Sequence, residues 1–252
     1  MKKAPESPEA IFKDYVADWQ TSFGHEVEGI YLYGSAARGE YVAGKSDINF
    51  LVLLTPFGMA RLRHAVEITE KWRKRNVAVP LVLTRDYIMK SLDSFPIEFL
   101  TIKRHYRVIF GQDVLANLEI SEHNLRLELE RELKSKLLHL REGLLSMGDA
   151  TRPLRELLER TIPTFAALFE AFLHLQREKA PATKRALFDE VVRVAGLDGR
   201  FVDKLFGLHE EGNKLYREEL WDLMEEYILQ IEKLTQYVDR MVIPENSGQG
   251  GI

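Results

Sequence analysis

The sequence predicts an α+β fold in which a small sheet with flanking helices is followed by an all-α helical bundle. In the first half, short runs of β-branched and aromatic residues alternate with helical patterns, which is typical of a sheet with helices packed on it. From residue 121 onward, apolar residues recur at helical spacing throughout. The predicted domains are 1–118 for the α/β part and 119–243 for the bundle. Residues 244–252 are rich in glycine and polar residues and are predicted to be disordered.

Local signals predict each element of the first half in turn. Pro8, which follows a serine, is typical of a helix start, and the apolar spacing after it predicts a helix that ends near Gly24. Pro56 and Gly58 predict a break in the chain. Pro80 predicts an edge position or a bulge for its strand, because proline has no amide hydrogen to donate to a neighbour. The predicted strands are 28–33, 48–54, 77–84 and 106–110, and the predicted helices between them are 59–76 and 85–92.

The second half is predicted to be helical from its first residue. Ser121 is a plausible N-cap, and a stripe of leucines continues from it to about Met147. Pro163 is predicted to kink or restart the next helix, because it removes one hydrogen bond of the helical ladder. The remaining predicted helices are 154–176, 183–195, 201–208 and 216–241.

Composition narrows the class of protein. The chain has 252 residues, of which 45% are hydrophobic and 29% charged, as is ordinary for a globular protein. A net charge of -4 gives no general attraction to nucleic acids or anionic membranes. The absence of cysteine excludes disulfides and thiol catalysis. No apolar stretch is long enough to span a bilayer, and the N-terminus lacks the apolar core of a secretory signal. A bacterial-type cytoplasmic protein with no membrane partner is therefore expected.

Two short motifs carry the chemistry. Tyr33-Gly34-Ser35 follows an apolar run, and after eleven intervening residues Asp47-Ile48-Asn49 precedes another. Because alternate residues of a strand point to the same face, Asp47 and Asn49 are expected to project together. Gly34 has no Cβ and lets the backbone approach a phosphate, while the Ser35 hydroxyl and the following amides can donate hydrogen bonds to it.

This pattern resembles the signature of the nucleotidyltransferase superfamily that includes DNA polymerase beta. The resemblance implies a mixed sheet and transfer of a nucleoside monophosphate from a nucleoside triphosphate to a hydroxyl acceptor. It implies catalytic and Mg²⁺-binding roles for Asp47 and Asn49, and nucleotide-binding roles for Gly34, Ser35, Arg38 and Ser46. Arg38 suits phosphate geometrically, although a plain surface arginine in a turn is the alternative.

The chain departs from the family pattern at two places. The family's catalytic pair is two carboxylates, whereas Asn49 is neutral, which weakens the metal site and affects the second metal most. The family takes a third carboxylate from a later strand, but the matching run 77–83 has no acidic residue, and Asp86 lies beyond it. Two functions therefore stay open: a nucleotidyltransferase with a degraded metal site, or a catalytically inactive nucleotide-binding or protein-interaction module, a pseudoenzyme, on the same fold.

Expected partners follow from the same resemblance, whose Ser-Asp-Ile-Asn variant is similar to that of uncharacterised bacterial nucleotidyltransferase-domain proteins. In family members such as the aminoglycoside-modifying enzymes, a helical bundle walls off the acceptor side. The bundle here is accordingly expected to bind an unknown acceptor or protein partner, or to form a homodimer. The basic run 71–75 ends a predicted helix, where basic residues favour the helix dipole, so a nucleic-acid partner is not favoured.

Overall fold

The computed structural model describes residues 4–147, 151–208 and 215–243, so the predicted disordered tail, 244–252, lies outside the described residues. The chain divides into two compact units. The first comprises residues 1–93 and 98–120, and the second comprises residues 94–97 and 121–252. Across the three described ranges, no helix combines the length and apolar character needed to cross a membrane.

The first unit is built on one mixed sheet of four strands in the order β3-β2-β1-β4. Strand β1 pairs antiparallel with β2 and with β4, and β3 runs parallel to β2. The predicted mixed sheet is therefore confirmed. The strands are β1 (Val27–Tyr33), β2 (Asn49–Leu54), β3 (Leu81–Leu83) and β4 (Tyr106–Gly111), and the helices of this part of the chain are α1 (Phe12–Phe23), α2 (Pro56–Met59), α3 (Ala65–Arg73), α4 (Arg85–Ser91) and α5 (Pro96–Arg104).

Strand β2 is buried on both faces of this sheet. Its even-numbered side chains pack in a cluster with Tyr15 and Trp19 of α1 and Trp72 of α3. Its odd-numbered leucines pack on the other face with residues of α4, α5 and the segment 113–120. Only Asn49, the first residue of the strand, is partly accessible. Helices on both faces thus fix β2 as the centre of the unit and leave one end of it open.

Strand β3 is shorter than predicted. Of the predicted strand 77–84, only Leu81–Leu83 joins the ladder, and Val77 makes an isolated parallel bridge to Ile48. Pro80 lies between these two contacts and has no amide hydrogen to continue the pairing. The predicted edge position of this strand is confirmed by the strand order.

Strand β2 ends at Leu54, before the break predicted at Pro56 and Gly58, and a short helix that was not predicted, α2, occupies these positions. Pro56 is the first residue of α2, where its fixed φ and missing amide hydrogen are tolerated. The Thr55 hydroxyl caps this helix by accepting a hydrogen bond of 3.1 Å from the Gly58 amide. The single helix predicted over 59–76 is instead a 3₁₀ turn at 62–64 followed by α3.

Helix α5 has no counterpart among the predicted elements. It begins at Pro96, as α2 begins at Pro56. Phe99 and Ile102, three residues apart, are both buried in the cluster on the odd-numbered face of β2. Proline at the first helical position followed by apolar residues at helical spacing is therefore the signal that marks this helix.

The second unit is a set of helices, as predicted. Helix α6 packs against α7 and α10, and α8 packs against α7 and α9. Edge-to-face ring contacts in its core include Phe169 with Phe188 at 4.6 Å and Phe165 with Tyr227 at 5.6 Å. Ser121 caps α6 as predicted, since its hydroxyl accepts from the Asn124 amide. The helices are α6 (Glu122–Met147), α7 (Thr151–Leu175), α8 (Lys184–Ala195), α9 (Arg200–Gly207) and α10 (Arg217–Asp239).

Pro163 lies inside α7 without ending it, so the helix does not restart there. Threonine hydroxyls on either side donate to backbone carbonyls of the same helix: Thr161 to Leu158 at 2.6 Å and Thr164 to Arg160 at 3.1 Å. These bonds supply donors to carbonyls around the point where proline removes one amide donor. The core packing of α7 then holds the helix together across the proline.

Asp18 joins α1 to α3 on the even-numbered face of β2. One of its carboxylate oxygens accepts hydrogen bonds from the Trp72 indole at 2.8 Å and from the Lys71 ammonium at 2.6 Å. The Trp72 ring is buried, whereas the Lys71 side chain is about half exposed. The bond to the indole is therefore expected to matter more for stability than the exposed ion pair.

Replacing Asp18 by Ala should lower the free energy of unfolding by about 2 kcal/mol, because the buried Trp72 N–H loses its acceptor. Asp18→Asn keeps an acceptor oxygen and should cost under about 1 kcal/mol, as should the control Lys71→Gln. Urea denaturation followed by tryptophan fluorescence measures both losses. Equal losses for the Ala and Asn variants would contradict this ranking.

Candidate functional site

The glycine turn after β1 is built around a backbone conformation that favours glycine. Gly34 has φ of +75° and opens a one-turn 3₁₀ helix that ends at Ala36. A Cβ at Gly34 would lie 3.0 Å from the Asn49 side-chain nitrogen, so glycine is needed for space as well as for backbone angle. The structure therefore brings the two sequence motifs into contact at Gly34 and Asn49.

The backbone amides that follow Ser35 donate hydrogen bonds to carbonyls of the same turn. The amides of Ala37 and Arg38 both donate to the Gly34 carbonyl, at 3.1 and 3.2 Å. The Glu40 amide donates to the Ser35 carbonyl at 3.0 Å. In this conformation these amides are not available to a phosphate. Ser35, the residue after Gly34, is partly exposed.

Asp47 and Asn49 lie at the open end of β2. Asn49 is the first residue of the strand and pairs with Tyr33, the last residue of β1. Asp47 precedes the strand and is exposed, so its carboxylate is accessible to a ligand rather than turned into the core. Among the described residues, none forms a hydrogen bond or ion pair with the Asp47 side chain.

The two remaining predicted nucleotide-binding residues belong to the loop between the motifs. The Ser46 hydroxyl accepts a hydrogen bond from the Val42 amide at 3.0 Å, and it thereby closes a turn just before Asp47. The Arg38 guanidinium lies 3.7 Å from the Glu40 carboxylate. Ser46 thus shapes the loop that presents Asp47, while Arg38 contributes a positive charge one turn after Ser35.

Two tyrosines extend the open end of the sheet across β1 and β4. Tyr33 lies opposite Asn49 on one side and opposite Tyr106 on the other. Burial raises the pKa of Tyr33, so its phenol is neutral at physiological pH. Burial and the hydrogen bonds that the hydroxyl donates to Asp113, both of 2.8 Å, raise the pKa of Tyr106 to about 12. Neither phenol is therefore a base at neutral pH.

On the β3 side, the chain contacts β2 just before Asn49. Val77 makes an isolated parallel bridge to Ile48, and the Ala78 amide donates to the Ile48 carbonyl at 3.0 Å. Val79 is 65% exposed, and Leu81, two residues further on, is 37% exposed. Sequence reasoning named Tyr33 in the motif but gave it no role, because its place opposite Asn49 follows from strand register. The only local signal is that Tyr33 ends a predicted strand.

The oxygen donors at this end of the sheet suit one hard cation. In the described part of the chain, no three His, Cys, Asp or Glu side chains form a group that could hold a metal ion. Asp47 offers an exposed carboxylate, and the partly accessible Asn49 offers an amide oxygen. Mg²⁺ is commonly bound by one or two carboxylates together with substrate phosphates. Asp47 and Asn49 are therefore the residues here that could hold such an ion together with a nucleotide.

Comparison with known proteins identifies the class of the first unit. Residues 13–106 match the family model of the nucleotidyltransferase domain. The matched part contains β1, the glycine turn, β2 and β3, and the match confirms the resemblance that the motif predicted.

A solved structure shares the fold over nearly the whole chain. The crystal structure of spectinomycin adenyltransferase AAD(9) from Enterococcus faecialis, with ATP and spectinomycin, aligns with a TM-score of 0.54 at 13% sequence identity. The alignment covers 92% of this chain and 99% of that chain. At this identity the likeness establishes the fold and not the substrates. No curated protein matches the sequence.

Replacing Gly34 by Ala tests the contact between the motifs. The variant should lose about 1 kcal/mol of unfolding free energy from its backbone angle alone, and further stability because the new Cβ displaces the Asn49 amide. Gly39 is a matched control, since its φ of +80° is similar and nothing lies within 4 Å of its Cβ position. Urea denaturation gives the stabilities, and the side-chain amide resonance of Asn49 reports the displacement.

Gly39→Ala should show the backbone cost without a shift of the Asn49 resonance. If Gly34→Ala matches Gly39→Ala in both readouts, the turn and β2 are not in contact as described.

Proposed function

We propose that the first unit binds a nucleoside triphosphate at the glycine turn and transfers its nucleoside monophosphate to an acceptor oxygen. The observation that carries the proposal is the contact between Gly34 and Asn49, with the exposed Asp47 carboxylate just before the same strand. Phosphate groups would approach the backbone at Gly34 and the side chains of Ser35 and Arg38. Ser46 would act by holding the loop that presents Asp47, through its bond to the Val42 amide.

Nucleotidyltransferases typically use divalent metals, and Mg²⁺ is the proposed cofactor here. Asp47 and Asn49 would hold it together with the triphosphate, and the ion would neutralise charge on the phosphates. The Asn49 amide can coordinate through oxygen but adds no negative charge. The affinity for Mg²⁺ in the absence of nucleotide is therefore proposed to be weak.

The second candidate is a catalytically inactive module that binds nucleotide or a protein partner on the same fold. Two features favour it: Asn49 is neutral, and the run 77–83 has no acidic residue. Neither feature disturbs the glycine turn or the sheet. Such a module would bind a triphosphate without releasing pyrophosphate, and Mg²⁺ would not change its affinity.

Pyrophosphate release separates the two candidates. With ATP, CTP, GTP or UTP, Mg²⁺ and pooled acceptors, the enzyme candidate predicts release that falls at least about a hundredfold in Asp47→Asn. Asp86→Asn is the matched control, since Asp86 is exposed on α4 and pairs with Lys90. Its rate should stay within about twofold of the wild-type rate.

Equilibrium dialysis with the same labelled triphosphates completes the test. Binding that is independent of Mg²⁺, with no pyrophosphate release, would establish the inactive module. If no triphosphate binds, the results contradict both candidate functions. If Asn49→Asp alone creates Mg²⁺-dependent release, the amide is the group that limits the native site.

A homodimer formed by the second unit is also part of the proposal. Leu138 and Leu145 of α6 are 58% and 82% exposed, and Leu229 of α10 is 49% exposed. Leu145 and Leu229 line one groove, which an ion pair of 3.0 Å between Arg141 and Glu232 also borders. A second copy of the chain would cover these leucines. Light scattering should give the mass of a dimer for the wild-type chain and half that mass for Leu145→Glu. A monomer mass for the wild-type chain would contradict the proposed homodimer.

A further inference from the structure

One side chain ties the loop that presents Asp47 to the core of the first unit. Between Gly39 and Asp47, the residues are exposed except for Tyr41 and Ser46, which are partly exposed. The bonds of Ser46 run to Val42, within the loop itself. Tyr41 instead packs against the core cluster on the even-numbered face of β2. Tyr41 is therefore the side chain that holds this part of the loop against the core.

The Tyr41 hydroxyl reaches the N-terminal segment, residues 5–11. It donates a hydrogen bond of 2.8 Å to the carbonyl of Pro5, which is itself a buried residue. Burial raises the pKa of the Tyr41 phenol, so the phenol keeps the proton that it donates. A partly buried carbonyl without a donor is unfavourable, and this bond therefore favours the observed position of the loop.

The N-terminal segment is in turn fixed to the sheet. Ile11 is buried in the same core cluster as Ala36, which ends the glycine turn. Glu9 forms an ion pair with Arg107 of β4, and the Arg107 guanidinium also lies over the Phe12 ring at 5.4 Å. The segment therefore offers the loop a hydrogen-bond acceptor that is itself held in place.

The turn after Tyr41 carries this constraint to Asp47. The Val42 amide donates to the Ser46 hydroxyl at 3.0 Å, and the Ser46 amide donates to the Val42 carbonyl at 2.8 Å. These reciprocal bonds close residues 42–46 into one unit. Asp47 lies between this unit and Ile48, which is buried in the core. The position of Asp47 is thus set on one side by the strand and on the other by the turn that Tyr41 holds.

We infer that Tyr41 is a positioning residue of the candidate site, and that the N-terminal segment 5–11 acts on the site through it. The bond to Pro5 keeps the loop in the position in which the Asp47 carboxylate is accessible at the end of β2. Without the bond, the exposed loop samples other positions, and binding of a nucleotide with Mg²⁺ must restore the first one at a cost in affinity. This inference rests on the proposed nucleotide binding.

Tyr41→Phe tests the inference, because it removes the hydroxyl and keeps the ring in its packing. The matched control is Tyr237→Phe, which removes a hydrogen bond of 3.1 Å to Gln176 in the second unit. Equilibrium dialysis of the full chain with labelled ATP, CTP, GTP or UTP and Mg²⁺ gives the dissociation constants. Tyr41→Phe should raise the dissociation constant about fivefold, as expected for one lost hydrogen bond. Tyr237→Phe should stay within about twofold of the wild-type value.

Trypsin cleavage after Lys45 reports on the loop without a nucleotide. Lys45 is exposed in the loop that Tyr41 holds. Under native conditions, Tyr41→Phe should raise the rate of this cleavage about fivefold, because the loop opens more often. Mass spectrometry detects the fragment that begins at Ser46. Tyr237→Phe should leave the rate within about twofold of the wild-type rate.

Pro5→Gly tests the other half of the contact, since it loosens the backbone that carries the acceptor carbonyl. Combined with Tyr41→Phe, it should raise the dissociation constant by less than the product of the two separate effects, because both changes act on one contact. A full product would show that the two residues act independently and would contradict the inference.

The other outcomes separate the inference from the proposed function. If the wild-type chain binds a triphosphate and Tyr41→Phe binds it equally well, the inference is wrong and the proposed function stands. An unchanged rate of cleavage at Lys45 in Tyr41→Phe would also contradict the inference alone. If the wild-type chain binds no triphosphate, the proposed function is wrong and the inference fails with it.

Discussion

The constraint on which the first unit depends is that β2 is buried on both faces and bonded along both edges. Its even-numbered side chains pack with α1 and α3, its odd-numbered leucines pack with α4 and α5, and β1 and β3 take its backbone bonds. A one-residue slip would turn every side chain to the wrong face, so the register is strongly specified. Asn49 and Asp47 are placed by this register, because they are the residues at which the strand emerges from the core.

The burial and pairing of β2 also explain why Gly34 lies against the side-chain amide of Asn49. Tyr33 ends β1 opposite Asn49, and the chain must turn at once to leave the sheet. Gly34 makes that turn at φ of +75° and leaves its Cβ space to the Asn49 side chain. The closeness of the motifs is thus a result of strand pairing.

Much of this fold follows from local sequence signals. Strands β1, β2 and β4 and the long helices of the second unit were predicted from periodicity, because their apolar spacing spans several residues. Helices α2 and α5 were missed because both begin at a proline that sequence alone also allows to be a break. The length of β3 was overestimated because only the ladder itself shows that pairing lapses around Pro80.

In the candidate site, too, some features follow from local sequence motifs and others depend on strand pairing. Gly34, Ser35, Asp47 and Asn49 are predicted as site residues because each motif is continuous in the chain. The contact between Gly34 and Asn49, and the place of Tyr33 opposite Asn49, depend on how β1 and β2 pair. Local sequence patterns give no sign of the hydrogen bond between Ala78 and Ile48. The composition of the run 77–83 shows that it has no acidic residue, but only the structure shows which of its residues pair with β2.

The residues of the candidate site are not the residues that stabilise the fold. This difference matters for the interpretation of the neutral residues at the site. Asn49 is only partly buried, Val79 is largely exposed, and Asp47 is exposed, so none belongs to either core cluster on the faces of β2. Surface substitutions of this kind usually change stability by about 0.5 kcal/mol or less. The stability of the fold therefore does not require a carboxylate or an amide at position 49, or a valine at position 79. The stability of the fold is therefore no evidence for or against catalysis at this site.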